Sequence, residues 1–304
     1  MSKVYVFNDF GGPENQQLVD RPAPPPGPGE LAVKVRAAGV NPIDHKIRSG
    51  ALGTDLPLPA PMGQEVAGVV TTIGDGVEGF AVGDAILGPV APGYGAFAQD
   101  TIVRATEAVA KPEEISFADA ATIPVAAATA YDATHQIELE AGQTLLILGA
   151  GGGVGLMAAQ IGRVHQFTVI GIASETKRQI VESTGATFVP SGKGVADRVR
   201  EVAPEGLDLI VDLVGGDALR QVAALATSPS RIISAADPAT ATEIGGSALE
   251  RTSEAMAKIT GVIEYGLVDP HVTARYPLEQ AGEAIVAVET GHTTGKTVIE
   301  PYSA

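Results

Sequence analysis

Five glycines fall within the seven residues Gly149 to Gly155, inside the stretch LLILGAGGGVGLMAAQIG (Leu145 to Gly162). Leu145 to Leu148 read as a fully apolar strand, and Leu156 to Gly162 continue as a helix, so the glycines occupy a strand-to-helix turn. Without side chains there, a diphosphate can rest on N–H groups at the positive end of the helix, which is how dinucleotide sites are built. A strict G-x-G-x-x-G cannot be laid on these residues. The nearest match is Ala150, Gly151, Gly152, Gly153, Val154 and Gly155, and the same run would also serve as a tight turn in an ordinary βαβ unit.

The next strand bears on that choice. FTVIGIA ends about 20 residues beyond the bend, where a dinucleotide fold places the residue that reads the adenosine ribose. An acid there selects the ribose diol of NAD. This chain has Ala173 and Ser174, then Glu175, Thr176, Lys177 and Arg178. A hydroxyl followed by two cations suits a 2′-phosphate through charge-assisted hydrogen bonds, so NADPH is the expected cofactor. Two readings compete with this: a solvated helix start for Lys177 and Arg178, and a ribose contact from Glu175 that would favour NAD.

The elements that position these residues change character along the chain. Short alternating or apolar runs, KVYVF, LAVKVRAAGV, EVAGVVTTIG and DAILGPV, are separated by Gly and Pro and predict a β-rich first third. RPAPPPGPGE reads as an extended surface connector between two strands. From about Phe117, alanine-rich helical segments alternate with the β-branched runs LLILG, FTVIGIA, LDLIVDLVG and RIISAA, the pattern of βαβ units on a parallel sheet. After Tyr265 short strand-like pieces return and end in GKTVIEP.

Composition narrows the function classes. A chain of 304 residues exceeds the usual size of a single core, so two moderate domains are expected. A formal charge of -16 repels phosphate backbones and anionic membranes, which argues against nucleic-acid and membrane partners. The absence of cysteine excludes disulfides, thiolate metal sites and cysteine nucleophiles, and it suits the cytoplasm. The N-terminus has no apolar signal core, and the greasiest stretch, ADAATIPVAAATAYDAT, is interrupted by Pro124 and charged residues, so neither export nor a membrane span is expected. No nucleophile elbow is present, and Glu113 and Glu114 sit in a proline-flanked connector, which disfavours a hydrolase.

AAGVNPIDHKIRSG, PMGQEVAGVVTTIGDGVEGFAVGDAI, GAFAQDTIVRA, ATIPVAAATAYDAT, AGGGVGLMAAQIG and TGKTVI follow one another over essentially the whole chain. In that order they resemble the medium-chain dehydrogenase/reductase superfamily, specifically its zinc-free quinone oxidoreductase branch, which includes zeta-crystallin. The resemblance implies an α/β fold: a Rossmann doubly wound parallel sheet inserted into a GroES-like β-rich domain, with the cofactor in the cleft. The implied divisions are 1–120 for the first part of the GroES-like substrate domain, 121–266 for the NADP-binding domain and 267–304 for the return segment.

Zinc alcohol dehydrogenases of the same superfamily would carry a cysteine where this chain has Asn41 and a histidine where it has Gln64. With both ligands missing, no metal site is expected. The five histidines, at 45, 135, 165, 271 and 292, show no metal-ligand spacing and read as surface or structural. A quinone or enone is already electrophilic, so the protein need only hold it over the nicotinamide and stabilise the charge that grows on its oxygen. The resemblance places the Asn-Pro-x-Asp turn, Asn41 to Asp44, beside the nicotinamide. Asn41 is then the donor that orients the acceptor, or else a turn residue before Pro42, and Asp44 reads as a turn-stabilising acceptor. By the same resemblance Thr129 would position the nicotinamide, with a back-bond inside its helix as the alternative. Lys296 would reach the cofactor from the returning chain, or stand as an exposed turn lysine.

The function these residues imply is NADPH-dependent, metal-independent hydride transfer to a small-molecule quinone. Alternatives are reduction of an activated C=C bond in an enone or enoyl thioester, and a cofactor-binding protein with little turnover. The chain between RIISAA and the helix around Leu249 to Tyr265 is shorter than the resemblance implies, in the region that forms a dimer edge, so a homodimer is left open.

Overall fold

The computed structural model describes residues 1–291 and 293–302. His292, one of the five histidines, lies outside the described residues. The chain divides into two compact units, Met1–Val125 with Val272–Ala304, and Ala126–His271.

The first unit is built around the strand Glu30–Val40. Leu31, Val33 and Val35 face the core while Lys34 and Arg36 face solvent, the period-two alternation of a half-buried strand. Beyond Arg36 the residues Ala37 to Val40 are buried on both faces. Among the described residues, Glu30–Val40 belongs to a seven-stranded sheet, flanked by Glu65–Ile73 and Lys296–Glu300, both antiparallel to it. In register, Thr297 stands opposite Val40, and Gly39 lies between Val298 on one side and Glu65 on the other. This alignment brings positions 41, 65 and 296 to one end of three adjacent strands. A smaller sheet pairs Ser2–Phe7 with Gln16–Arg21 and Ala60–Pro61. The proline-rich segment leads from Gln16–Arg21 to Glu30–Val40 without regular structure over Pro22 to Gly27, since proline fixes φ and supplies no ladder donor.

The second unit carries a parallel sheet of six strands among the described residues. Its order is Thr187–Pro190, Thr168–Ala173, Thr144–Leu148, Leu209–Asp212, Ile232–Ser234 and Ser247–Ala248. Helices cover such a sheet on both faces, which is why Leu145 to Leu148 carry no polar residue and are all buried. The first strand in sequence lies at the middle of the order, the arrangement of a doubly wound nucleotide-binding fold. The sequence expectation of a Rossmann sheet and a separate β-rich assembly is met. No helix among the described residues is long and apolar enough to cross a membrane.

One helix differs from expectation. It runs Ala255–Glu264 and not from about Leu249. The preceding residues are held outside the helix by polar bonds: Glu250 N–H donates to Gln136 Oε1 (2.8 Å), and Thr252 donates to the Asp132 carboxylate through its hydroxyl (2.6 Å) and its amide (3.2 Å).

Candidate functional site

In the second unit the glycine bend lies where the strand order reverses, between Thr144–Leu148 and its two neighbours. Gly149 adopts φ +92°, a left-handed conformation that L side chains rarely enter, and turns the chain out of the strand. The amides of Gly149 and Ala150 both donate to Ile172 O at 3.0 Å, fastening the bend to the end of the second strand. The helix Gly153–Val164 then begins with Gly152 as N-cap and no side-chain cap. Ala150 and Gly151 are buried, whereas Gly152, Gly153 and Val154 are partly exposed at the helix start. That exposed start carries the partial positive charge of the helix.

The residues after the second strand fold back over this bend. Lys177 is partly buried and its side chain lies on Gly151, where an added Cβ would collide with the Lys177 Cβ, Cγ and Cδ. Burial of this stem lowers the Lys177 pKa. Ser174 is exposed, with its hydroxyl 3.0 Å from that of Thr176. Arg178 is drawn elsewhere. Its guanidinium donates to both Glu175 oxygens (2.7 and 3.1 Å) and to Glu182 (3.2 Å), and it stacks 4.3 Å from the Phe188 ring centre. The Arg178 bond depresses the Glu175 pKa and raises that of Arg178. The pair of cations expected after Ser174 is therefore one lysine on the bend and one arginine already held by two carboxylates. The Glu175 carboxylate, the alternative ribose ligand, is likewise held by Arg178.

Thr129, near the start of the helix Ala128–His135, is buried, and its hydroxyl accepts a hydrogen bond from Arg251 Nη1. This contact reaches a residue 122 positions away in the chain.

In the first unit Asn41, Glu65 and Lys296 form one buried cluster, with relative exposures of 4%, 0% and 3%. The Asn41 Nδ2 donates to Glu65 Oε1 at 2.7 Å, and Lys296 Nζ donates to Asn41 Oδ1 at 2.7 Å. Lys296 Nζ also donates to Val40 O and to Glu65 Oε1, both at 3.0 Å. An ammonium has three N–H bonds, and all three are used here. The exposed-turn alternative for Lys296 is therefore corrected: the lysine is buried, and its ammonium anchors Asn41 and Glu65. Glu65 Oε2 accepts the Val125 amide at 2.7 Å, inside the π-helical turn Ile123–Ala127. Gly39 makes room for this carboxylate, since a Cβ there would strike Glu65 and the Ala121 carbonyl.

Asn41 precedes the helix Pro42–Arg48 as its N-cap, with Pro42 at the first position where no intrahelical donor is needed. Asp44 Oδ2 accepts the Asn41 amide at 2.8 Å, the turn-stabilising contact expected of it. Its other oxygen, Oδ1, is buried without a partner. Burial pushes the Asp44 carboxyl up to about 7, with the Asn41 N–H opposing the shift and the Glu65 charge adding to it.

Sequence reasoning missed Glu65 and Arg251. Glu65 stands before an apolar strand run, and an acid there must find a partner when buried, which was the available signal. Nothing local marks Arg251. Among the described residues no three His, Asp or Glu side chains are grouped to hold a metal. His135 and His165 do meet, Nε2 to Nε2 at 3.1 Å, with His135 stacked on Tyr131.

Two family models match the chain: the alcohol dehydrogenase GroES-like domain over residues 27–113 and the zinc-binding dehydrogenase over residues 184–299. The chain is 32% identical over 320 residues to the quinone oxidoreductase of Rattus norvegicus, covering 97% of this chain and 95% of that one. It is 30% identical over 314 residues to the 2-methylene-furan-3-one reductase of Solanum lycopersicum, covering 98% and 79%. Among solved structures, that of Escherichia coli quinone oxidoreductase complexed with NADPH superposes with a TM-score of 0.89 at 25% identity, covering 98% of this chain and 100% of that one.

Proposed function

Because the chain belongs to the quinone oxidoreductase branch of the medium-chain dehydrogenase/reductase superfamily, we propose that it is an NADPH-dependent reductase that passes a hydride to a quinone without a catalytic metal. The observation that carries the cofactor half of this reading is the Lys177 side chain lying on Gly151, at the bend where the helix Gly153–Val164 begins without a side-chain cap. A diphosphate fits such a bend, and the lysine whose stem lies on it can donate to a phosphate on the neighbouring ribose. Ser174 adds a hydroxyl at the end of the second strand. Thr129, held by Arg251, is the group proposed to bond the nicotinamide carboxamide.

Bound NADPH supplies the hydride. The chain's own part is to orient the acceptor and stabilise its oxygen as negative charge develops there, the interaction that strengthens in the transition state. Asn41 does this by donating from Nδ2. Where zinc enzymes of the superfamily would use a cysteine and a histidine, Asn41 and Gln64 carry amides, which are weak metal ligands and good hydrogen-bond partners. Hydride arrival gives a hydroquinone anion, and a proton from water completes the two-electron reduction.

A second reading has one observation behind it: a relative of similar identity is named for reduction of an exocyclic enone. The same donor at the acceptor oxygen would serve an enolate. Mixing the protein with NADPH and a panel of quinones, enones and simple alcohols, and following loss of reduced-cofactor absorbance, separates the readings. Quinone turnover exceeding the rest is the expected result. Turnover of alcohols alone, or NADPH binding with no turnover of any acceptor, would sink the proposal.

A further inference from the structure

Asparagine's amide has an oxygen end and a nitrogen end of nearly the same shape, so packing hardly distinguishes the two orientations of its terminal plane. At Asn41 two buried charges make the distinction. The end facing Lys296 Nζ at 2.7 Å must be an acceptor, because an ammonium offers only donors. The end facing Glu65 Oε1 at 2.7 Å must be a donor, because a carboxylate only accepts. Turning the amide over would set oxygen against carboxylate and NH₂ against ammonium, exchanging two charge-assisted hydrogen bonds for two repulsive contacts in a site shielded from water. One Nδ2 hydrogen is taken by Glu65, and the other has no acceptor among the described residues.

We propose that Glu65 and Lys296 are positioning residues that set the polarity of the Asn41 amide, so that Asn41 presents an N–H, and never its carbonyl, to the acceptor oxygen. The inference rests on the reading of Asn41 as the donor in quinone reduction. Each charge is itself held firmly. Glu65 is tied by the Val125 amide at 2.7 Å and by Lys296 at 3.0 Å, and Lys296 is tied to Val40 O at 3.0 Å. Their opposite signs leave the cluster formally neutral. Its effect on the reaction therefore passes through the orientation of Asn41, and neither residue need touch the acceptor.

The test compares Asn41→Ala with the neutral double variant Glu65→Gln/Lys296→Met. The double variant keeps side-chain size and leaves no uncompensated buried charge, but the introduced glutamine amide offers both a donor and an acceptor, so the Asn41 amide loses its enforced polarity. Expected is a fall in kcat of at least about 10-fold in the double variant, bounded by the fall in Asn41→Ala and by the roughly 100- to 1,000-fold loss typical of an oxyanion donor. NADPH Kd should change by less than about 2-fold, and Lys296→Arg, which keeps the cation, should retain most of the turnover. If Asn41→Ala lowers kcat while the folded double variant keeps it in full, the polarity proposal is overturned and the donor reading survives. If Asn41→Ala keeps full kcat, the donor reading itself fails and takes the proposal with it. A readout independent of turnover guards against variants that do not fold. In protein carrying ¹⁵N-labelled asparagine, one Asn41 side-chain proton should resonate downfield of the ordinary amide range and lose that shift in Glu65→Gln. Absence of such a proton overturns the proposal whatever the kinetics.

Discussion

The side chain of Lys177 rests on Gly151, so that any Cβ at residue 151 would collide with its Cβ, Cγ and Cδ. Lysine and glycine bend are thus one surface, and the lysine stem is held rather than waving in solvent. A charge-assisted hydrogen bond from this ammonium to a 2′-phosphate is worth about 1.5–3 kcal/mol. Lys177→Ala should therefore weaken NADPH binding by about 10- to 150-fold while leaving NADH nearly unchanged, as read by fluorescence titration with both cofactors. Equal affinity of the unmodified protein for NADPH and NADH would remove the assignment.

Arg178 should matter less. Its guanidinium already binds Glu175 and Glu182, and both of those pairs are solvent-exposed, where water screens the attraction. A bound phosphate can displace them at small cost, but it gains correspondingly little. Arg178→Ala is expected to weaken NADPH binding by less than about 10-fold, whereas Glu175→Gln, which releases the arginine, should tighten it. Tighter NADPH binding in Arg178→Ala than in Glu175→Gln would contradict this ordering.

Removing one member of the buried Glu65–Lys296 pair strands the other. Lys296→Met alone leaves the Glu65 carboxylate without its cation and should cost about 3–5 kcal/mol of stability. Glu65→Gln/Lys296→Met removes both charges and should recover most of that loss. Chemical denaturation of the two variants beside the unmodified protein checks the prediction, and equal destabilisation of both would show that the ion pair is not what the fold depends on.

Asp44 gives the fold a pH dependence of definite sign. Its carboxyl rises from 3.8 to about 7, with burial as the main cause, so folding favours its protonated form. The stabilisation is complete below the unfolded value near 3.8 and is lost as pH climbs through about 7. At 1.36 kcal/mol per unit the contribution is at most roughly 4 kcal/mol. Asp44→Asn keeps an acceptor for the Asn41 amide and removes the buried charge. It should flatten the decline in Tm between pH 5 and pH 8, and should raise Tm at pH 8. An Asp44→Asn protein whose Tm follows pH as steeply as the unmodified protein would place the titration elsewhere.

The sequence by itself determined the parallel sheet, the place of the glycine bend and the β-rich texture of the first third. These are local properties: an apolar run too short for a helix, glycines where a strand meets a helix, and alternation of period two. It also supplied Asn41 and Gln64 at the two positions where the family resemblance implies zinc ligands in the zinc enzymes, since residue type needs no coordinates. The cluster of Asn41, Glu65 and Lys296 was decided by tertiary structure alone. Their meeting depends on strand register, with Thr297 opposite Val40 and Glu65 opposite Gly39, and a shift of one residue would turn each side chain to the other face. The same holds for the partners of Lys177 and Arg178. Two adjacent cations look equivalent in a sequence, but the turn after the second strand sends one onto Gly151 and the other to Glu175 and Glu182. Sequence spacing sets which elements form. Which polar groups share a buried site is set by the packing of elements far apart in the chain, because a buried charge must find its partner wherever the fold supplies one.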